Sequence, residues 1–207
     1  MSFETWLAFT AASAVLLIIP GPTILLVISY GLGQGRRAAF PVAAGVALGD
    51  FTAMTLSMLG LGAVLATSAT LFTALKWVGG AYLIWLGVKL FRAGGTFQGT
   101  EAGRGAAPAR MIAHAWIVTA LNPKSITFFI AFLPQFLDPS RGLLGQMVVF
   151  EATFLVLASA NSFGYALAAS RAHGLVRRPT AIGWFNRIGG SLLVGAGVTA
   201  IAWRRAA

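Results

Sequence analysis

The chain has 207 residues, of which 57% are hydrophobic and only 10% charged, and its mean hydropathy is +0.81. Because an average soluble domain carries roughly 25% charged residues, this composition excludes a soluble enzyme. The 15 lysine and arginine residues outnumber the five acids and give a net charge of +10. In so apolar a chain this excess is typical of cytoplasmic loops. Cysteine is absent, which excludes disulfides and thiol chemistry.

Six apolar segments follow one another along the chain, and each is long enough for a membrane span, which takes about 20 residues. They cover about residues 6–30, 39–65, 71–91, 111–137, 142–170 and 180–203. No lysine or arginine precedes the first segment, and it is too long for a cleavable signal peptide, so we expect it to stay in the mature protein. The stretch 93–110 is rich in glycine and alanine and predicts a flexible linker.

The basic residues predict the orientation of these six segments. Nine of them lie in or beside the first, third and fifth loops: Arg36, Arg37, Lys89, Arg92, Arg104, Arg110, Arg171, Arg177 and Arg178. The opposite side holds four, namely Lys76, Arg141, Arg204 and Arg205. Because cytoplasmic loops carry the excess of positive charge, we expect the first, third and fifth loops in the cytoplasm and both termini on the outer side of the membrane.

The two halves of the chain resemble each other. Pro22 and Pro123 are 101 positions apart, and so are Asp50 and Glu151. Residues 78–88 (VGGAYLIWLGV) also align with residues 188–198 (IGGSLLVGAGV), at an offset of 110. Chance similarity between glycine-rich apolar segments is the alternative explanation, but three matches in the same order favour an internal repeat.

A repeat of three spans has a topological consequence, because an odd number of spans makes the second half enter the membrane from the opposite side. We therefore predict an all-α integral membrane protein of six transmembrane helices, arranged as two inverted three-helix repeats. The repeats cover about residues 1–92 and 111–207, joined by the linker 93–110 in a single transporter domain. Such architectures are typical of secondary transporters, whose binding sites lie near the midplane where broken helices meet.

Asp50 lies about 8 to 12 residues into the second segment, roughly 12 to 18 Å deep at ~1.5 Å per residue. A charge at this depth is costly and usually faces a cavity or a partner. It could bind a substrate ammonium or carry a proton, or it could form a buried ion pair that only fixes helix packing. Gly45 and Gly49 precede it at helical spacing, and close packing of another backbone is their simplest explanation.

Glu151 and Lys124 are the other charges placed inside the spans. Glu151 lies nine residues after Gly142, and Lys124 stands halfway along the fourth segment. A buried lysine needs an acidic partner or loses its proton, and Asp50 and Glu151 are the available acids. A Lys124–acid lock and a contact to a substrate carboxylate remain equally good interpretations.

Prolines break the first and fourth helices. Pro20, Gly21 and Pro22 remove backbone donors from helix 1, and Asn122 with Pro123 does the same in helix 4. Freed backbone groups at membrane depth are tolerated where they line a cavity or are buried in protein, and a half-helix starting at Pro22 offers an N-terminus to a carboxylate. A simple kink is the alternative. The two histidines form no metal-ligand cluster, and no motif predicts a cofactor or nucleic-acid binding.

Four sequence motifs together resemble the LysE/RhtB family of amino-acid exporters: IIPGP (18–22), GVALGD (45–50), KWVGGAYLIWLGVKLFR (76–92) and LNPKSITFFIAFLPQF (121–136). The resemblance covers nearly the whole chain. It implies a six-helix protein of the bacterial inner membrane that exports amino acids such as lysine, homoserine, threonine or leucine, with the proton motive force as energy source. By motif, the functional positions are Pro20, Gly21, Pro22, Gly45, Gly49, Asp50, Asn122, Pro123 and Lys124, whereas Glu151 rests on the repeat alone.

We therefore predict a secondary exporter of a small amino acid, neutral or like homoserine, threonine or leucine, and not an enzyme. Its partners are the amino acid, protons and the lipid bilayer, and a homo-oligomer stays open. A divalent-cation exporter with oxygen ligands from Asp50 and Glu151 is the alternative. A membrane scaffold without transport would not need charges in the middle of matched halves, and the absence of cysteine excludes a thiol-electron carrier.

Overall fold

A computed structural model describes residues 1–19, 21–67, 105–138 and 140–171, together with isolated helical positions between 74 and 92 and between 183 and 198. All regular secondary structure in these ranges is helical. The stretches Pro22–Gly60 and Leu143–Arg171 are long and apolar enough to cross a membrane, and a bent helix pair within 108–135 adds a third span if it is counted as one. The chain is therefore an all-α membrane protein. The predicted third and sixth spans lie mostly outside the described residues.

Six α-helices are defined in the described ranges: α1 (Phe3–Ile18), α2 (Pro22–Gln34), α3 (Ala39–Thr67), α4 (Pro108–Ala120), α5 (Pro123–Ala131) and α6 (Leu143–Arg171). Short 3-10 turns cover Gly35–Ala38 and Leu133–Gln135. Ser2 caps α1 by accepting from the Thr5 amide, and Gly35 ends α2 at a φ of 66°, a conformation that favours glycine. The bounds of α3 and α6 agree with the second and fifth predicted segments, while α4 begins inside the predicted linker.

Helix breaks separate α1 from α2 and α4 from α5. Pro22 and Pro123 each occupy the first position of the second half-helix, where the missing N–H costs nothing and the fixed φ suits a helix start. The residue before each proline, Gly21 or Asn122, is extended, because a proline disfavours the helical conformation of its predecessor. The axes of α4 and α5 differ by 46°.

Small residues let the helices cross closely. A Cβ on Gly45 would meet the Ile112 carbonyl of α4, and one on Gly49 would lie 2.5 Å from the Thr119 Cβ. Gly31 of α2 approaches the Ala166 carbonyl of α6 in the same way, at 2.7 Å from its ideal Cβ. These contacts place α3 on α4 and α2 on α6 without space for a larger side chain, as expected for packing in a membrane.

Two apolar clusters form the core. The first, here the aromatic cluster, joins α1, α5, the second half of α3 and the first half of α6: Phe9, Leu16, Ile19, Ala53, Met54, Met58, Phe128, Phe129, Leu133, Leu137, Phe150, Phe154 and Ala158. The second, here the alanine–valine cluster, joins α2, α4, the first half of α3 and the end of α6: Leu26, Val27, Tyr30, Ala38, Ala39, Val42, Val46, Met111, Ala115 and Ala166.

Buried polar residues lie between the two clusters. Along α3, Asp50 falls between Val46 of the alanine–valine cluster and Ala53 of the aromatic cluster. Both helix breaks lie at this level, because α1 and α5 belong to one cluster and α2 and α4 to the other. We call this level the polar layer and define it by five buried residues: Thr23, Asp50, Thr119, Asn122 and Lys124.

Candidate functional site

Asn122 joins the two broken helices. Its side-chain oxygen accepts from the Lys124 amide at 3.1 Å and so caps α5. Its amide nitrogen donates to Thr23 Oγ1 in the first turn of α2, at 3.0 Å, and the Thr119 hydroxyl donates to the same oxygen at 3.3 Å. The Asn122 side chain therefore caps α5 and also connects its start to the first turn of α2 by a hydrogen bond.

Lys124 reaches from the first turn of α5 to the end of α1. Its ammonium donates to the carbonyls of Leu16 at 3.0 Å and Ile19 at 2.8 Å, and only 6% of the residue is exposed. A cation at a helix C-terminus is stabilised by the helix dipole and by the carbonyls that lack intrahelical partners. Of the two acids considered as partners from the sequence, neither forms an ion pair with Lys124 within 4.0 Å.

The remaining carbonyls at the end of α1 are also satisfied by side chains. Asn161 donates to the Leu17 carbonyl at 3.0 Å and Tyr165 to the Ile18 carbonyl at 2.9 Å. Four successive carbonyls, those of residues 16 to 19, are thus held by three side chains from α5 and α6. At the break in helix 1, each of these four described carbonyls therefore has a side-chain donor.

Asp50 is 2% exposed and lies in the polar layer. The charge that acts on its carboxylate is the Lys124 ammonium, from more than 4.0 Å away since no ion pair joins the two. No hydrogen bond to the Asp50 carboxylate occurs within the part of the chain that the structure describes. A buried carboxylate without a direct donor is a costly group for a purely structural role.

Glu151 lies apart from this arrangement. Its Oε1 accepts from the Thr55 hydroxyl at 2.6 Å, across the contact between α6 and α3. Thr55 is five residues beyond Asp50 on α3, about 7.5 Å along the helix axis. Glu151 of α6 therefore contacts α3 at a different level from Asp50. Within the described ranges no group of three or more histidine, cysteine, aspartate or glutamate residues could hold a metal ion.

The glycine and proline positions frame the polar layer. The ideal Cβ of Gly21 lies 3.4 Å from Lys124 Nζ, so the glycine leaves room for the lysine beside the N-terminus of α2. Gly45 and Gly49 pack α3 onto α4, and Pro22 and Pro123 begin the half-helices. Pro20 lies outside the described residues.

Thr23 and Thr119 belong to the polar layer but are not predicted from the sequence. The repeat carries a signal for Thr23, because it aligns with Lys124 at the same offset of 101 that relates Pro22 to Pro123. Both residues follow the helix-starting proline directly. Thr119 has no such signal, since its role depends on the close approach of Gly49 to α4.

The family model of the LysE type translocator matches residues 14–202 of the chain. The chain belongs to this family. It is therefore a transporter of the bacterial inner membrane and not an enzyme. The match includes both helix breaks and the whole polar layer.

Curated relatives of this LysE family member match along most of their length. A homoserine/homoserine lactone efflux protein of Salmonella typhimurium is 34% identical over 95% of this chain and 96% of its own. An uncharacterized membrane protein of Vibrio cholerae is 32% identical over 96% and 97% of the two chains. A leucine efflux protein of an Enterobacter species is 32% identical over 73% and 72%. No solved structure matches this LysE type translocator.

Proposed function

We propose that this LysE type translocator exports a small amino acid, neutral or like homoserine, threonine or leucine, across the inner membrane in exchange for protons. The family and the printed names of the efflux relatives support amino-acid export. The observation that carries the proposal is the polar layer, where a buried Asp50 and a buried Lys124 lie next to two broken helices. A zwitterionic substrate needs groups of both signs at one level of the membrane.

The start of α2 suits the substrate carboxylate. Gly21 gives this helix no side-chain cap, so no capping side chain occupies its first-turn amides, and the helix dipole favours a negative charge there. The Lys124 ammonium lies beside the same glycine and adds a full positive charge. The start of α5 is different, because Asn122 already caps it.

Asp50 suits the substrate ammonium or the coupling proton. It is buried at the level of the Lys124 ammonium and has no direct donor among the described residues. A carboxylate in this setting gains by binding a cation or a proton. If the substrate ammonium and a proton bind the Asp50 carboxylate in turn, export is coupled to the proton gradient. Glu151, held by Thr55, is the further acid that we assign to proton or substrate binding.

We further propose that transport moves one inverted three-helix half against the other. Equivalent helices have equivalent neighbours, since α3 packs on α4 as α6 packs on α1, and α2 packs on α6 as α5 packs on α3. Both second half-helices begin at the aligned prolines. These contacts support an inverted repeat, whose third and sixth spans lie mostly outside the described residues.

A divalent-cation exporter is less well supported. The carboxylate of Asp50 faces the field of the Lys124 ammonium, which would repel a dication. Glu151, the second oxygen ligand in that alternative, contacts α3 at Thr55, five residues beyond Asp50, so the two acids lie at different levels. An amino acid supplies its own carboxylate to the lysine, so the same arrangement favours a zwitterion.

Export from cells fed with dipeptides tests the proposal. Cells with and without the protein are loaded with dipeptides, whose hydrolysis raises one internal amino acid at a time, and the medium is assayed for each. We expect the protein to raise the release of at least one small neutral amino acid severalfold, and to lose this effect when the proton gradient is collapsed. An unchanged release of every amino acid tested would contradict the proposal.

A further inference from the structure

The hydroxyl of Ser13 stands out among the buried polar groups. It is the one fully buried side-chain oxygen or nitrogen of the described residues that has no hydrogen-bond partner, and Ser13 itself is 0% exposed. A buried polar group without a partner is destabilising and rare in native proteins. The Ser13 hydroxyl is therefore open to a hydrogen-bond partner that the described protein groups do not supply.

Other hydroxyls on these helices show how Ser13 could have been satisfied. Serine and threonine in a membrane helix commonly donate to the carbonyl four residues earlier. Thr10 donates in this way to Trp6, at 2.8 Å, and Ser29 to Leu25, also at 2.8 Å. Ser13 does not donate to its own helix, although the Phe9 carbonyl lies at the equivalent position four residues earlier.

Ser13 lies close to the polar layer. It shares the buried face of α1 with Leu16, the residue whose carbonyl accepts from the Lys124 ammonium. Three residues separate the two, which is about 4.5 Å along the helix axis, and six residues or about 9 Å separate Ser13 from Ile19 at the break. Four bonds separate the carboxyl carbon of homoserine from its hydroxyl oxygen. With a hydrogen bond of about 2.8 Å at each end, such a molecule has the length to join the start of α2 to Ser13.

We infer that Ser13 recognises a hydroxyl group on the side chain of the exported amino acid. This inference rests on the proposed function and narrows it from small amino acids in general to those that carry a hydroxyl. A site that hydrogen-bonds a substrate hydroxyl discriminates strongly against the analogue that lacks it, because its own polar group is then left unpaired. Homoserine, one of the two compounds in the name of the Salmonella efflux relative, carries such a hydroxyl, whereas its lactone does not.

The test compares homoserine with 2-aminobutyrate, which is the same molecule with hydrogen in place of the hydroxyl. The purified protein is reconstituted in liposomes, and efflux of each preloaded amino acid is measured under a proton gradient. We expect the unchanged protein to release homoserine about tenfold faster, as the loss of one hydrogen bond predicts. Ser13→Ala should abolish this preference by slowing homoserine, with 2-aminobutyrate changed by less than about twofold.

Ser29→Ala is the matched control, because it also removes a buried serine hydroxyl, but one that is bonded to its own helix. It should keep the preference for homoserine. If Ser13→Ala does not reach the membrane, Ser13→Cys keeps the volume with only a weak donor and should show the same loss of preference. Equal rates for the two amino acids in the unchanged protein, or equal slowing of both in Ser13→Ala, would overturn the inference.

The outcomes also separate this inference from the proposed function. If the unchanged protein releases 2-aminobutyrate or leucine but has no preference for a hydroxyl, amino-acid export stands and the role of Ser13 is wrong. If it releases no amino acid at all, the proposed function fails and the inference fails with it.

Discussion

The Lys124 ammonium donates to the Ile19 carbonyl at 2.8 Å. This hydrogen bond connects the first turn of α5, the second half of broken helix 4, to the end of α1, the first half of broken helix 1. The same ammonium donates to the Leu16 carbonyl and lies beside Gly21. A helix end, a helix start and a buried cation thus meet at one point of the polar layer. The hydrogen bonds of the Lys124 ammonium go to backbone carbonyls, and no ion pair within 4.0 Å joins it to the Asp50 carboxylate.

Replacing Lys124 should therefore lower both stability and transport. Lys124→Met keeps the length of the side chain but leaves the Leu16 and Ile19 carbonyls without a donor. We expect the free energy of unfolding in detergent to fall by about 1 to 4 kcal/mol, from two hydrogen bonds to a charged group, and export to fall more than tenfold.

Lys124→Arg separates charge from shape. The guanidinium keeps the positive charge, but its planar fork differs in geometry from the ammonium that donates to the Leu16 and Ile19 carbonyls. We expect export to stay low in this variant as well. Full export by Lys124→Met would show that the contact to α1 is dispensable.

Asn122 has two functions that substitutions can separate. Asn122→Ser keeps an N-cap for α5 but does not reach Thr23, whereas Asn122→Ala loses both interactions. We expect Asn122→Ala to cost about 1 kcal/mol more in unfolding free energy than Asn122→Ser, the usual size of an N-cap. Equal stability of the two variants, measured by chemical unfolding in detergent, would mean that the cap contributes nothing here.

Paired glycines test the inverted repeat in the third and sixth spans. The ideal Cβ of Gly87 lies 2.6 Å from the Gly190 carbonyl, and that of Gly190 lies 2.5 Å from the Gly87 carbonyl. At the offset of 110, Gly87 aligns with Gly197 and Gly190 with Gly80. A two-fold relation therefore predicts a second close contact, between Gly80 and Gly197, which lie outside the described residues.

Alanine substitutions at both glycine pairs provide the measurement. We expect Gly80→Ala and Gly197→Ala to lower the thermal unfolding midpoint as much as Gly87→Ala and Gly190→Ala, because overpacking typically costs about 1–3 kcal/mol. Gly195→Ala is the control, since the structure leaves open space around that Cβ. Harmless substitutions at positions 80 and 197 would argue against the two-fold relation.

The orientation can be tested with single cysteines, because the chain has none of its own. Arg36, Arg37, Arg110 and Arg171 all lie at the end of the molecule that holds the alanine–valine cluster, which we therefore place in the cytoplasm. Ser2→Cys should react with an impermeant maleimide in intact cells, and Arg36→Cys only after permeabilisation. The reverse pattern would invert the proposed topology.

Much of the fold follows from local sequence features. A proline inside an apolar segment removes a backbone donor and clashes with the preceding turn, so the ends of α1 and α4 are readable from Pro22 and Pro123. Helical spacing of Gly45 and Gly49 likewise predicts a close crossing, and both glycines contact α4. The partner of Lys124 could not be predicted, because backbone carbonyls have no signature in the sequence. The orphan hydroxyl of Ser13 is equally invisible, since it depends on which neighbours fail to reach it.

We propose that Asp50 binds the substrate ammonium or the coupling proton, and the substitution Asp50→Asn separates these roles from a structural one. The amide keeps the shape of the side chain but cannot carry the negative charge or exchange a proton. Asp138→Asn is the matched control, because this aspartate is exposed near Arg141 and far from the polar layer. In dipeptide-fed cells, with membrane levels of both variants verified, we predict that Asp50→Asn abolishes amino-acid export while Asp138→Asn exports normally. Undiminished export by Asp50→Asn would contradict the account.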